Sequence, residues 1–115
     1  MLRIGQGLYG KVSFADGAFP DYDRTYLVVS VEDNKIGVLN ISSVAGKEHK
    51  ILFPTNRFIN KHFPPFIKKS FAKMDSLVHI TDNQVLNLRV LANGSALDEI
   101  ELSNIIKELQ ELQKN

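Results

Sequence analysis

The sequence contains no cysteine and no tryptophan among its 115 residues. Without cysteine, the chain has no disulfide framework, no thiolate ligand for a metal and no cysteine nucleophile. No apolar run comes near the roughly 20 residues that a membrane-spanning helix needs. The first residues, Met1 to Gly5, also lack the apolar stretch of a secretory signal. We therefore expect a cytoplasmic protein that does not enter a membrane.

Patterns that bind metals or cofactors are also scarce. The histidines His49, His62 and His79 lack the spacing of metal ligands, and no pair of carboxylates accompanies them. Residues 5–10 match the dinucleotide-binding pattern GxGxxG, but strand-forming residues follow where that pattern requires a helix. We therefore expect no metal and no cofactor, and we expect the glycines to serve a turn and a bulge.

Basic and acidic residues are separated along the chain, although the net charge is only +1. Seven lysines and arginines lie between residues 47 and 73, where Glu48 is the only acidic residue. Acidic residues outnumber basic ones after Asp75. A basic segment of this kind is typical of proteins that bind a polyanion. The segment also contains phenylalanines, which serve either as core residues or as platforms for nucleic-acid bases: Phe53, Phe58, Phe63, Phe66 and Phe71.

The composition is that of one globular domain. Hydrophobic residues make up 43% of the chain and charged residues 23%, so we expect residues 1–115 to form a single domain. Runs of β-branched, aromatic and alternating residues predict strands, and residues 24–31 and 36–43 should form a hairpin. Prolines interrupt residues 54–69, and residues 81–83 should form a turn. The predicted strands are residues 7–14, 24–31, 36–43, 49–53 and 70–80.

The last element is a predicted helix from Glu99 to Gln113. Asp98, followed three residues later by Glu101, is typical of an N-cap and a capping box. An apolar stripe along the helix should pack against the sheet. We therefore expect a mainly β protein: a small curled antiparallel sheet or half-open barrel with a C-terminal helix packed on it. The stripe consists of Leu102, Ile105, Ile106, Leu109 and Leu112.

Two strands carry side chains that are suited to phosphate. Arg24 begins the most apolar strand, and a guanidinium can hold two phosphate oxygens while staying charged. Ser42 and Ser43 end the partner strand, and their hydroxyls can donate to phosphate. In a tight hairpin these residues lie at the same end. The alternative interpretation is a strand-edge charge beside a pair of turn-forming serines.

In this order along the chain, the motifs resemble those of the MazF/PemK toxin family. Residues 7–12 resemble the first strand of that family, and residues 24–30 resemble its Arg-Pro strand, with Thr25 in place of proline. Ile41-Ser42-Ser43 resembles an Ile-Thr-Ser motif. Residues 70–75 resemble a later strand, and residues 97–109 resemble the closing helix. Asp75-Ser76 stands where the family has an acidic residue followed by glutamine, and residues 54–69 differ from the family loop.

The resemblance implies the toxin of a toxin–antitoxin pair: a homodimeric endoribonuclease that cuts single-stranded RNA without a metal and is neutralised by an antitoxin protein. The ribose 2′-OH would attack the adjacent phosphate and give a 2′,3′-cyclic phosphate and a 5′-OH end. By position, Arg24 and Ser42 would act on that phosphate. The residues expected to contact the RNA are Ser43, Lys47, Lys50, Arg57, Lys68, Lys69 and Lys73.

Other functions compete with this one. The same fold could bind nucleic acid without cutting it, which the basic, phenylalanine-rich segment also supports, or it could belong to an inactive relative. The related CcdB-type gyrase poisons end in Trp-Gly-Ile, whereas this chain has no tryptophan and ends in Gln113-Lys114-Asn115. A gyrase poison is therefore disfavoured.

Overall fold

A computed structural model describes residues 2–13 and 17–114. In this part of the chain, seven strands form one antiparallel sheet in the order β4-β5-β3-β2-β1-β7, and β6 pairs with β3. The two end strands of this order do not pair with each other within the described residues, so the sheet is open. The strands are β1 (Gly7–Gly10), β2 (Arg24–Glu32), β3 (Lys35–Ser43), β4 (Asn56–Ile59), β5 (Ser70–Lys73), β6 (Val78–Ile80) and β7 (Arg89–Val90).

The hairpin of β2 and β3 is the centre of the sheet and confirms the prediction. Its register runs from Thr25 opposite Ile41 to Glu32 opposite Lys35, with an irregularity near Ser30. Side chains alternate between the two faces of a strand, and both faces of this hairpin are buried. One face carries a core cluster that includes Leu27, Val29, Leu39 and Ile41, and the other carries a cluster that includes Tyr26, Val28, Ile36 and Val38.

The C-terminal helix α2 (Glu99–Gln113) packs on the first of these clusters, as predicted. Ile105 and Leu109 are buried there, whereas Leu112 is 47% exposed. The Asp98 carboxylate accepts from the Glu101 N–H (3.1 Å), which confirms the N-cap. The Glu101 carboxylate accepts from the backbone N–H of Asn60 (2.8 Å). This bond ties the helix to the residue that follows β4. Within the described residues the Glu101 side chain does not accept from the Asp98 N–H, so the predicted capping box is not formed.

Two other predicted elements are wrong. Residues 49–53 form a 3₁₀ helix (Glu48–Leu52), not a strand, because the N–H groups of Lys50 and Phe53 donate to carbonyls three residues earlier. Leu52 is 85% exposed, so the apolar run there is not a buried strand. Residues 81–83 begin a short helix, α1 (Asp82–Val85), because Thr81 and Gln84 cap it reciprocally.

Two strand predictions need partial correction, and strand β4 was not predicted. Residues 70–80 form two strands, β5 and β6, because a turn at Ser76 divides them. Residues 54–69 contain β4, which pairs with β5 despite the prolines on either side. Strand β1 ends at Gly10; the predicted strand extended to Phe14, which lies outside the described residues.

No helix within the described ranges combines the length and the apolar character that crossing a bilayer would need.

Candidate nucleic-acid interface

The β2–β3 register brings Arg24 and Ser42 together. Thr25 lies opposite Ile41, so Arg24 and Ser42 occupy the next positions on the two strands. Ser42 lies opposite Phe71 of β5, and Lys73 follows two residues later. Because side chains alternate along strands, Arg24, Ser42 and Lys73 lie on one face of three adjacent strands.

A hollow of about 720 Å³ opens at this end of the hairpin, and we call it the large hollow. The segment 62–67 forms one wall. It is fixed by a hydrogen bond from His62 Nδ1 to the Phe66 carbonyl (2.7 Å) and by the Phe66 N–H, which donates to the His62 carbonyl. Gly7 lets this wall approach the sheet, because a Cβ there would lie 2.9 Å from Pro65 Cγ. Six of the nine candidate residues line the large hollow: Arg24, Ser42, Ser43, Lys47, Lys68 and Lys73.

Lys47 sets the direction of the Ser42 hydroxyl. Lys47 Nζ lies 3.0 Å from Ser42 Oγ. An ammonium group has only donors, so Lys47 donates and Ser42 accepts. The hydroxyl proton of Ser42 remains available for an anion in the large hollow.

The basic residues create a positive potential in the large hollow. Burial lowers the pKa of Lys73, and the charges of Arg24, Lys47 and Lys50 lower it further, while Asp75 partly opposes the shift. The lowered pKa means that the charged form of Lys73 is disfavoured in the folded chain. A bound anion would offset both the desolvation and the repulsion between the cations.

Aromatic side chains lie beside these charges. The Arg24 guanidinium carbon lies 4.9 Å from the centre of the Tyr22 ring, within the range of a cation–π contact. Phe63 also lines the large hollow and is 65% exposed. Among the other phenylalanines of the basic segment, Phe66 and Phe71 are buried, which assigns them to the core. Tyr22 and Phe63 therefore offer rings on which bases can stack.

Three of the candidate residues lie outside the lining of the large hollow. The Arg57 guanidinium pairs with Glu108 of α2, so it joins β4 to the helix. Lys50 lies in the 3₁₀ helix and acts on the hollow only through its charge. The exposed Lys69 contributes a backbone carbonyl, which accepts from the Val44 N–H (2.9 Å).

The residues of the lining that the sequence interpretation missed include Asn40 and Tyr22. Asn40 is buried and lies two residues before Ser42, so both point to the same face of β3. An amide within an otherwise apolar strand was the available signal. Tyr22 belongs to the loop before β2, and its contact with Arg24 depends on tertiary structure that no local pattern encodes.

Residues 2–13 and 17–114 include no group of three or more His, Asp or Glu side chains that could hold a metal ion. Comparison of the chain with protein-family models and with curated proteins finds no match.

Proposed function

We propose that this protein is a MazF/PemK-like endoribonuclease that cleaves single-stranded RNA, including mRNA, as the toxin of a toxin–antitoxin pair. The observation that carries the proposal is the convergence of Arg24, Ser42, Lys47 and Lys73 in one hollow. Three cations and a directed hydroxyl suit a phosphate group better than any uncharged ligand.

The reaction needs no external nucleophile. The ribose 2′-OH attacks the adjacent phosphorus, a new O–P bond forms, and the bond from phosphorus to the 5′ oxygen of the next nucleotide breaks. The products are a 2′,3′-cyclic phosphate and a 5′-OH end. The 2′-OH loses one proton and the leaving 5′ oxygen gains one. Because the nucleophile belongs to the substrate, the protein needs only to align it and to stabilise the charge that develops on the phosphorane.

The residues of the large hollow divide these tasks. Arg24 offers a planar fork to two non-bridging oxygens, and Ser42 donates its hydroxyl proton to the phosphate while Lys47 holds its oxygen. Lys73 gives a proton to the departing 5′ oxygen. Its lowered pKa makes it a stronger acid than an ordinary lysine.

The shape of the site favours single strands. Bases that stack on Tyr22 or Phe63 must be splayed away from a partner strand. The rings lie in the same hollow as the cations, so one short stretch of RNA can contact both. The homodimer and the neutralising antitoxin follow from the family resemblance, and we propose them on that ground.

The test is incubation of the purified protein with mixed-sequence RNA in EDTA, followed by mapping of the new 5′ ends. Discrete cuts with 5′-OH ends support the endoribonuclease. RNA that is retained on the protein in a salt-sensitive way but recovered intact contradicts it.

Intact, retained RNA would instead support a second candidate, a module that binds RNA without cutting it. The stacking of Arg24 on Tyr22 favours this candidate, because such a pair can hold a base without any chemistry. Induced expression separates the two in cells. A toxin arrests growth, whereas a binding module or an inactive relative does not.

A further inference from the structure

A second hollow of about 290 Å³ adjoins the large one, and we call it the small hollow. Arg24, Asn40 and Lys73 line both, so they form the wall between them. A phosphate held by Arg24 and Lys73 would therefore have one neighbouring nucleotide on each side of this wall. Sites for drug-sized ligands usually enclose about 300–1,000 Å³, so the small hollow is large enough for one base.

The walls of the small hollow suit a nucleobase. The side chains of Tyr26, Leu77 and Val78 provide apolar surface for the faces of a ring. Tyr26 is almost fully buried, and burial raises the pKa of its phenol. The phenol therefore stays protonated and neutral. Asp75 is the acidic residue of the lining.

The turn that carries Asp75 is held in place. The Ser76 hydroxyl donates to the Lys73 carbonyl (2.6 Å) and accepts from the Asn40 N–H (2.8 Å). The Ser76 hydrogen bonds are thus used to fix the turn against β3. Asp75 is exposed and contributes to the lining of the small hollow, and within the described ranges its carboxylate makes no hydrogen bond or ion pair.

An ionised carboxylate accepts hydrogen bonds and cannot donate them. Guanine presents two adjacent donors, N1–H and the N2 amino group, which match the two oxygens of one carboxylate. Uracil presents a single donor, N3–H, between two carbonyl oxygens. The negative carboxylate repels these oxygens. Guanine also presents the acceptor O6 beside N1–H, and Asn40 and Lys73 supply donors on the shared wall.

We propose that the small hollow binds one guanine base next to the scissile phosphate, with Asp75 accepting from N1–H and the N2 amino group. This inference rests on the proposed RNA-binding role of the large hollow. It adds a sequence preference: cuts should cluster at positions where guanine flanks the scissile bond.

The test uses fluorescein-labelled deoxyuridine hexanucleotides in which one central base is uracil, guanine or hypoxanthine. These probes lack the 2′-OH and cannot be cut by the proposed reaction, so fluorescence anisotropy reports binding alone. We expect the guanine probe to bind about tenfold more tightly than the uracil probe. Hypoxanthine lacks the 2-amino group and should lose most of this gain.

The variant Asp75→Asn keeps the size of the side chain and removes one acceptor and the charge. It should bind the uracil probe somewhat better, because a negative charge is lost, and the guanine probe more weakly, because the paired acceptor is lost. The preference for guanine should therefore fall below about twofold. The matched control is Asp33→Asn in the β2–β3 turn, at the far end of the hairpin. Asp33 has φ +48°, which asparagine tolerates equally well, so this variant should keep the full preference.

The outcomes separate the two proposals. Binding without a preference for guanine, or a preference that survives in Asp75→Asn, overturns the role of the small hollow and leaves the proposed RNA function standing. Failure of the parent protein to bind any probe at low salt overturns both.

Discussion

At the scale of single residues, Arg24 lies in the wall between the two hollows, where the proposed mechanism places the scissile phosphate. It begins β2, stacks on Tyr22 and adds to the repulsion that lowers the pKa of Lys73. In the proposed mechanism, its replacement removes a bidentate donor from the place where charge develops on the phosphorane. We predict that Arg24→Ala lowers the rate of RNA cleavage by about 10²–10³-fold or more and leaves the fold intact.

Arg57→Ala is the matched control for this prediction. It also removes one half-buried arginine, but from the pair with Glu108 outside the large hollow. We expect it to cut RNA at the parental rate while the free energy of unfolding falls. Circular dichroism verifies the fold of both variants, and gel-based cleavage rates compare them. A folded Arg24→Ala protein that cuts RNA at the parental rate would remove Arg24 from the mechanism.

Lys73 should show opposite effects on stability and activity. Its folded pKa lies below that of the unfolded chain, so the unfolded state binds more protons between the two values. The free energy of unfolding therefore rises with pH in that interval. At pH 7 the charged Lys73 destabilises the fold, and we predict that Lys73→Met has the higher melting temperature. Cleavage by this variant should be at least about 10²-fold slower, because the proton donor is lost.

The pH dependence checks the cause of this stabilisation. The difference in melting temperature between Lys73→Met and the parent should shrink as the pH rises above the lowered folded-state pKa of Lys73 towards the ordinary lysine value of about 10.4, because the folded chain then no longer holds the charge. A difference that stays constant over this range would indicate improved apolar packing and not relief of charge. Exposed Lys114 serves as the control, since Lys114→Met should change neither the melting temperature nor the rate.

Much of the site could be predicted at this scale, because strand order and periodicity place Arg24 and Ser42 at one end of a hairpin. The contact of Lys47 with Ser42 could not, since it depends on the loop that follows β3. Arg57 also shows the limit of reasoning from composition. Its charge belongs to the basic segment, but its partner is an acidic residue 51 positions later.

At the scale of elements, the long elements were predicted well from their repeating apolar positions. The β2–β3 hairpin and α2 each contain enough apolar positions to fix their type and faces. The short elements were not predicted. They contain too few residues for a pattern, so individual hydrogen bonds decide their secondary structure. The reciprocal caps of Thr81 and Gln84 stabilise a short helix where a turn was predicted. The turn at Ser76 divides one predicted strand into two.

A hydrogen bond links α2 to the chain just before the wall of the large hollow, and its contribution to stability can be predicted. The buried Glu101 is 7% exposed, and its carboxylate accepts from the Asn60 N–H just before the segment 62–67. We predict that Glu101→Ala lowers the free energy of unfolding by about 1–3 kcal/mol, because this charged hydrogen bond is lost. Urea denaturation measures the change. RNA binding should weaken as well, since the wall is no longer tied to the helix.

Two variants test whether the hydrogen bond is the cause. Glu101→Gln keeps an acceptor oxygen and should lose less than half as much stability. Glu99→Ala replaces an exposed glutamate in the same first turn of α2 and should have a small effect. Equal losses for Glu101→Gln and Glu101→Ala would argue against the role of the Asn60 contact.

At the scale of the whole molecule, the fold brings basic residues from different parts of the chain together around the large hollow. Arg24, Lys47, Lys68 and Lys73 line the large hollow, although the net charge is only +1. If each neutralises one phosphate, the slope of log K against log salt for a single strand should be about −3. Anisotropy of a 2′-deoxy probe over a range of salt concentrations measures the slope. Lys73→Met should make it shallower by about 0.7, and a slope near zero would contradict an electrostatic site.

In the proposed reaction, the large hollow aligns a ribose 2′-OH for attack on the adjacent phosphate. The most direct measurement uses a synthetic RNA that spans a mapped cut, prepared with either ribose or 2′-deoxyribose at the nucleotide before the cut. We predict that the parent protein converts the ribose form to 2′,3′-cyclic phosphate and 5′-OH ends in EDTA. It should bind the deoxy form without cutting it. Cleavage of the deoxy form at the same bond, or recovery of both forms intact, would contradict this mechanism.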